Sequence, residues 1–187
     1  MNIFPRFVLC SLLVILISCA SNKTSTIVGF DYNEKDNTTD YFVFPFGSVT
    51  IPGKWNKTNY NSISRQQFFK NSDSVTIAIA FVPCDKFEFN IDKSKTDFEF
   101  IKAYYDWDSH FFVSQHGLES KVLEMDSTNN YIIWKLWGKL NDEKIENYFL
   151  FGEKNCFVSN FSILSTNKWS EKEKINFLQN LHINKEY

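Results

Sequence analysis

Residues 120–164 constrain this chain more than any other stretch. Apolar segments at 120–125, 131–140, 145–151 and 156–164 are separated by polar turns at 126–130, 141–144 and 152–155. That spacing predicts four strands in an antiparallel meander. In the second strand, Ile132, Trp134 and Leu136 share one face, and Tyr131, Ile133, Lys135 and Trp137 share the other.

Upstream, strands are expected at 41–51, 61–70 and 74–82. In the last, Val75, Ile77, Ile79 and Phe81 point one way and Thr76, Ala78, Ala80 and Val82 the other. Both sides are suited to burial, which predicts a central strand with a helix over one face. The 41–51 segment is one strand or two broken at Pro45, and it ends at Pro52-Gly53, a turn signal. Phe87, Phe89 and Ile91 alternate as a short strand would. The period then changes. Thr96-Asp97-Phe98-Glu99 has the pattern of a capping box. Phe98, Ile101, Tyr105 and Phe112 line a helical stripe, widened by Phe100, Tyr104, Trp107 and Phe111, until Gly117 stops it. A second box, Ser170-Glu171-Lys172-Glu173, opens a helix lined by Ile175, Leu178 and Leu181. The predicted fold class is α+β: an antiparallel β-sheet flanked by one long central helix and one C-terminal helix, in a single domain at 41–187.

Only 6 glycines accompany 20 phenylalanines, which leaves little material for phosphate-cradling loops and suits a β-rich core. The formal net charge is −2 and the charges are interleaved, so no nucleic-acid partner is expected. No Gly-x-Ser-x-Gly, Walker, His-Glu-x-x-His or Cys-x-x-Cys motif occurs. The reading is non-enzymatic, with no catalytic residue, no metal and no cofactor. Asp106, Asp108 and His110 are the sharpest polar group, and they read as a solvated helix face with a local ion pair. His182, near a helix end, reads as a cation favoured by the helix dipole. Of the aromatic group Tyr131, Trp134, Trp137 and Trp169, strand parity assigns Trp134 to the core. Trp137, with Tyr131 and Lys135, forms a candidate binding surface.

The N-terminus combines Arg6, an apolar run at 8–17 and Leu16-Ile17-Ser18-Cys19. The run is shorter than the roughly 20 residues that span a bilayer, and it suits a secretory signal. The motif resembles a lipobox, the processing signal of bacterial lipoproteins. The resemblance implies a signal peptide at 1–18 and acylation of Cys19 with a diacylglycerol and usually an amide-linked chain such as palmitate. The lipid bilayer then becomes a partner through Cys19. Ala20 in place of Asp implies, by the sorting rule of some such lipoproteins, the outer membrane facing the periplasm. An ordinary signal peptide and an uncut anchor are the competing readings. Residues 19–40 are rich in Ser, Asn, Thr, Asp and Lys and read as a flexible tether, with docking of Phe30 and Tyr32 on the domain as the alternative.

From Val49-Thr50-Ile51 and Pro52-Gly53-Lys54-Trp55, through the long helix and meander, to Phe177-Leu178-Gln179-Asn180-Leu181, the order of elements resembles the PsbP-like and DcrB-like domains. That resemblance implies a binding or assembly role. The leading expectation is an envelope lipoprotein that engages a protein partner. The alternatives are an apolar small-ligand carrier, with phenylalanines lining a pocket between sheet and long helix, and a toxin-immunity lipoprotein. Cys84 and Cys156 are the cysteines left once Cys10 is removed and Cys19 is acylated. In an exported protein they are a candidate disulfide, with two free core thiols as the alternative.

Overall fold

The computed structural model describes residues 25–187. The Leu16–Cys19 motif and Cys10 lie outside the described residues. Among the described residues, two antiparallel sheets and two α-helices make an α+β fold in three layers. The larger sheet runs, in spatial order, β4 (Asn56–Asn61), β5 (Gln66–Lys70), β6 (Thr76–Pro83), β10 (Phe157–Ile163), β9 (Glu143–Lys154), β8 (Tyr131–Leu140) and β7 (Glu119–Asp126). The smaller sheet orders β1 (Ile27–Asn33), β2 (Thr38–Phe44), β3 (Gly47–Pro52) and β11 (Lys185–Glu186). The long helix α1 spans Asp97–His116, and the C-terminal helix α2 spans Glu171–Ile183.

Strand parity assigns each layer its core. From β6, β8 and β9, residues Ile77, Ile79, Phe81, Ile133 and Leu150 face the smaller sheet and α2, meeting Tyr41, Val49, Ile51, Leu178 and Leu181. The opposite parity sends Ile132, Trp134, Leu136, Phe149 and Phe151 against Phe100, Ile101 and Tyr104 of α1. The larger sheet is therefore covered on both faces, and β6 is buried from Ile77 to Val82.

Several expectations are corrected. The tether reading fails from Ile27 onward, because β1 pairs with β2 along its whole length, Ile27 with Phe44 through Asn33 with Thr38. A half-buried strand needs only one apolar face. Val28, Phe30 and Tyr32 supply one, and the Phe30 ring lies 5.8 Å from that of Phe69. For the 41–51 segment the broken alternative holds: it is two strands turned at Pro45 and Phe46, with Phe46 N–H donating to the Val43 carbonyl at 2.6 Å. The 61–70 strand is the second half of the β4–β5 hairpin. Phe87 to Ile91 forms no strand: Phe87 separates two short 3-10 turns, Cys84–Lys86 and Glu88–Asn90, and Ile91 follows the second. The single expected sheet is two, because β1, β2, β3 and β11 pair among themselves.

The start of α2 is as expected, since the Ser170–Glu173 capping box forms. At α1 the C-terminal stop also forms: Gly117 adopts φ 64° and its N–H reaches the Phe112 and Val113 carbonyls. The Thr96 box does not form, since its side chain makes no capping hydrogen bond.

Candidate functional site

A cleft of about 640 Å³ opens between the C-terminal half of α1 and the larger sheet, with the β4–β5 turn across one end. Its walls are Phe87, Trp107, Phe111, Phe112 and Phe149, and its floor includes Ala80, Val82 and Val158. The cleft exists because of the side-chain sizes on β6. Isoleucine at 77 and 79 fills the core on one face, while alanine at 78 and 80 puts only methyl groups toward α1. The walls are rigid by aromatic contact. Tyr104 stacks on Phe151 at 3.8 Å with planes 8° apart, and Phe87 packs edge-on against Phe100 at 5.3 Å and Trp107 at 6.5 Å. Trp107 Nε1 donates to Glu88 Oε1 at 2.5 Å, tying the helix to the 3-10 segment.

Three polar groups interrupt this apolar lining. Asn160 Nδ2 donates to Tyr104 Oη at 2.9 Å, while Asn160 Oδ1 is buried with no partner. Asp108 stands one helical turn beyond Tyr104. Burial among the rings pushes its pKa up to about 7, and desolvation is the whole cause. The Tyr104 hydroxyl is likewise pushed up, first by burial and then by the nearby Asp108. Arg65, Lys86 and Glu88 form the rim. The expected solvated Asp106–Asp108–His110 face is thus divided: Asp106 and His110 are exposed, and Asp108 turns into the cleft.

The disulfide between Cys84 and Cys156, with Cα atoms 4.8 Å apart, stands beside this cleft. It joins the end of β6 to the β9–β10 turn, next to the Pro83–Phe157 pair, and Cys84 N–H donates to the Cys156 carbonyl at 2.9 Å. The bond thereby fixes the start of the segment carrying Lys86 and Phe87.

The sequence-predicted binding residues occupy two places. Lys135 and half-buried Trp137 line an open trough with Glu146, Tyr148, Trp169, Glu171 and Lys174. Lys135 Nζ reaches Glu171 at 3.1 Å and Glu146 at 3.4 Å, and lies 5.6 Å above the Trp137 ring. Buried Lys174 contacts Glu146 at 3.3 Å and sits 4.5 Å over the Tyr148 ring, whose hydroxyl bonds both glutamates. Burial works against the Glu146 carboxylate, but hydrogen bonds from Tyr148 and Lys174 and the charge of Lys135 outweigh it and hold its pKa low. The network satisfies itself. Tyr131 is buried at the other end of β8, 4.8 Å from the His182 ring, with its hydroxyl bonded to Glu124. His182 is not the expected cation: burial and Lys185, whose Nζ is 2.9 Å from Nδ1, push its pKa down to about 4. Among the described residues no group of three or more His, Cys, Asp or Glu side chains is arranged to hold a metal, and no helix is long and apolar enough to cross a membrane.

An α+β protein with a ligand-sized aromatic cleft is the class these observations define. No family model matches the sequence, and no curated protein matches it. Solved structures that match at the level of the chain trace include the following two. One is a crystal structure from Bacteroides thetaiotaomicron VPI-5482, with TM-score 0.42 and 11% identity, covering 75% of this chain and 44% of that one, so the present chain spans less than half its length. The other is the solution structure of cyanobacterial PsbP (CyanoP) from Synechocystis sp. PCC 6803, with TM-score 0.42 and 12% identity, covering 92% of this chain and 98% of that one.

Proposed function

We propose that this chain is a lipid-anchored, non-enzymatic envelope protein that binds a small amphiphilic molecule in the α1 cleft. The observation that carries the reading is a half-open aromatic cleft whose volume falls within the usual range for small-ligand sites and whose polar groups converge at one place. An apolar ligand body would lie between Trp107, Phe111 and Phe149. Its polar end would offer a hydrogen-bond donor to Asp108. The Cys84–Cys156 bond is in keeping with an oxidising compartment, the Leu16–Cys19 motif supports an anchor at Cys19, and Ala20 after it favours the outer membrane.

Fluorescence titration of the full-length protein with N-phenyl-1-naphthylamine, an apolar probe carrying one N–H donor, tests the cleft. Saturable binding is expected, and Ala80→Leu, which fills the floor, should abolish it while the thermal transition remains cooperative. Unsaturable binding, or binding unchanged in Ala80→Leu, would overturn the reading. The protein-partner alternative would need an exposed apolar surface instead of a cleft.

A further inference from the structure

The outer face of the smaller sheet carries such an apolar surface, and it lies where the chain leaves toward Cys19. Cross-strand partners share a face, so Ile27 and Phe44 stand side by side, as do Gly29 and Phe42. The Phe42 ring lies across Gly29 so closely that a Cβ there would fall 1.9 Å from it. The three apolar side chains are left in solvent, with Phe44 63%, Ile27 59% and Phe42 40% exposed. Farther along the same face Asp31 stands opposite Asp40, and the turn beyond adds Glu34 and Asp36. The hairpin is therefore apolar at its open end and acidic at its closed end.

Cations gather at the open end. The groove lined by Thr26 and Val28, on the other face of the hairpin, is also lined by Lys57, Arg65 and Lys86, with one carboxylate, Asp85, 4.0 Å from Lys86. Ile27 lies eight positions after Cys19, a stretch that reaches at most about 28 Å when fully extended. A domain tied to lipid through so short a stretch meets the bilayer continually, at high effective concentration.

We propose that the open end of the β1–β2 hairpin docks on an anionic lipid surface. Phe42, Phe44 and Ile27 enter the boundary between headgroups and acyl chains, and Lys57, Arg65 and Lys86 meet the lipid phosphates. A basic patch beside an acyl anchor adds electrostatic attraction to an anionic leaflet, and the acidic turn is held away from the like-charged surface. The proximity argument for docking rests on the reading that Cys19 is acylated, and Arg65 and Lys86 stand at the rim of the cleft as well.

Photocrosslinking of the full-length, membrane-resident protein tests it. p-Benzoylphenylalanine replaces Phe44 in one variant and Met125, exposed on the edge strand β7 of the larger sheet, in another. Irradiation should attach lipid at position 44 and not at position 125, read as phospholipid mass on the corresponding peptide. In reconstituted phosphatidylcholine vesicles containing phosphatidylglycerol, the triple change Lys57→Glu, Arg65→Glu, Lys86→Glu should lower the lipid adduct at position 44 about tenfold or more. A protein adduct at position 44, including a second copy of this chain, would overturn the proposal, and so would lipid yield no higher than at position 125. The N-terminal peptide mass reports acylation separately. An acylated Cys19 with no adduct at position 44 sinks the docking and leaves the anchor standing, whereas an adduct without acylation supports docking and removes the anchor.

Discussion

Asp108 and His182 pull the stability of this protein in opposite directions as pH changes. Asp108 has a folded pKa near 7 against about 4 when unfolded. Between those values the folded state keeps a proton that the unfolded state has lost, so stability falls as pH rises from about 4 to 7. His182 is the reverse. With a folded pKa near 4 against 6.5, its contribution is present above pH 6.5 and is lost as pH falls toward 4. Asp108→Asn removes the first effect and keeps the shape. Each tenfold change in proton affinity corresponds to about 1.4 kcal/mol, and partial exposure of Asp108 screens it. We expect a gain of about 1–2 kcal/mol at pH 8 and none at pH 4, measured by chemical denaturation across that range. An equal gain at both pH values would show that the carboxyl is not desolvated. Tyr104 and Asp108 are four apart on a helix, so their shared face was legible once Tyr104 was read as part of the apolar stripe. What the sequence did not carry was how far the alanines of β6 leave that face unfilled.

Elements of identical local pattern behave differently here. Thr96-x-x-Glu99 and Ser170-x-x-Glu173 carry the same signal, yet only the second forms its box. Ser170 Oγ accepts from Glu173 N–H at 3.3 Å, and the Glu173 carboxylate accepts from Ser170 N–H at 2.7 Å. At α1, Asp97 takes φ 51° and its carboxylate accepts from Asn130 of the β7–β8 turn at 3.2 Å. A contact 33 residues away accompanies this local backbone. Ser170→Ala should therefore cost about 1 kcal/mol, whereas Thr96→Ala should leave the urea midpoint nearly unchanged. Equal losses would mean that Thr96 caps its helix after all. The β1 strand shows the converse case. Its alternation of Val28, Phe30 and Tyr32 was visible, but the polar composition around it outweighed three apolar residues. Only pairing with β2 satisfies its backbone.

At the scale of the whole molecule, the local order of strands was legible and the joining of distant ones was not. The run from β7 to β10 is a meander of adjacent hairpins, and turn chemistry announces each one. The pairing of β6 with β10 closes the sheet across the whole span between them, and no local pattern marks it. The same holds for β11 on β3, by which the C-terminus completes the smaller sheet. The disulfide pins the β6–β10 seam. Its loop of 72 residues corresponds to about 4 kcal/mol of unfolded-state entropy. Replacing both cysteines by alanine should lower the unfolding free energy by up to that amount, with the fold and the probe titration of the cleft retained. A loss below about 1 kcal/mol would place the stabilisation elsewhere.

The Cys84–Cys156 bond also bears on how this molecule would survive cleavage. The loop it closes contains all of α1, β7, β8 and β9, which supplies one wall of the cleft and one whole flank of the larger sheet. A protease that nicks the chain anywhere between the two cysteines leaves both fragments covalently joined. The N-terminal piece keeps Cys19, so the C-terminal piece stays attached to whatever holds that residue. A nick before Cys84 or after Cys156 has no such safeguard. Damage to the cleft-bearing half is thus visible only after reduction, while damage to either terminal segment needs only the loss of packing to release a fragment.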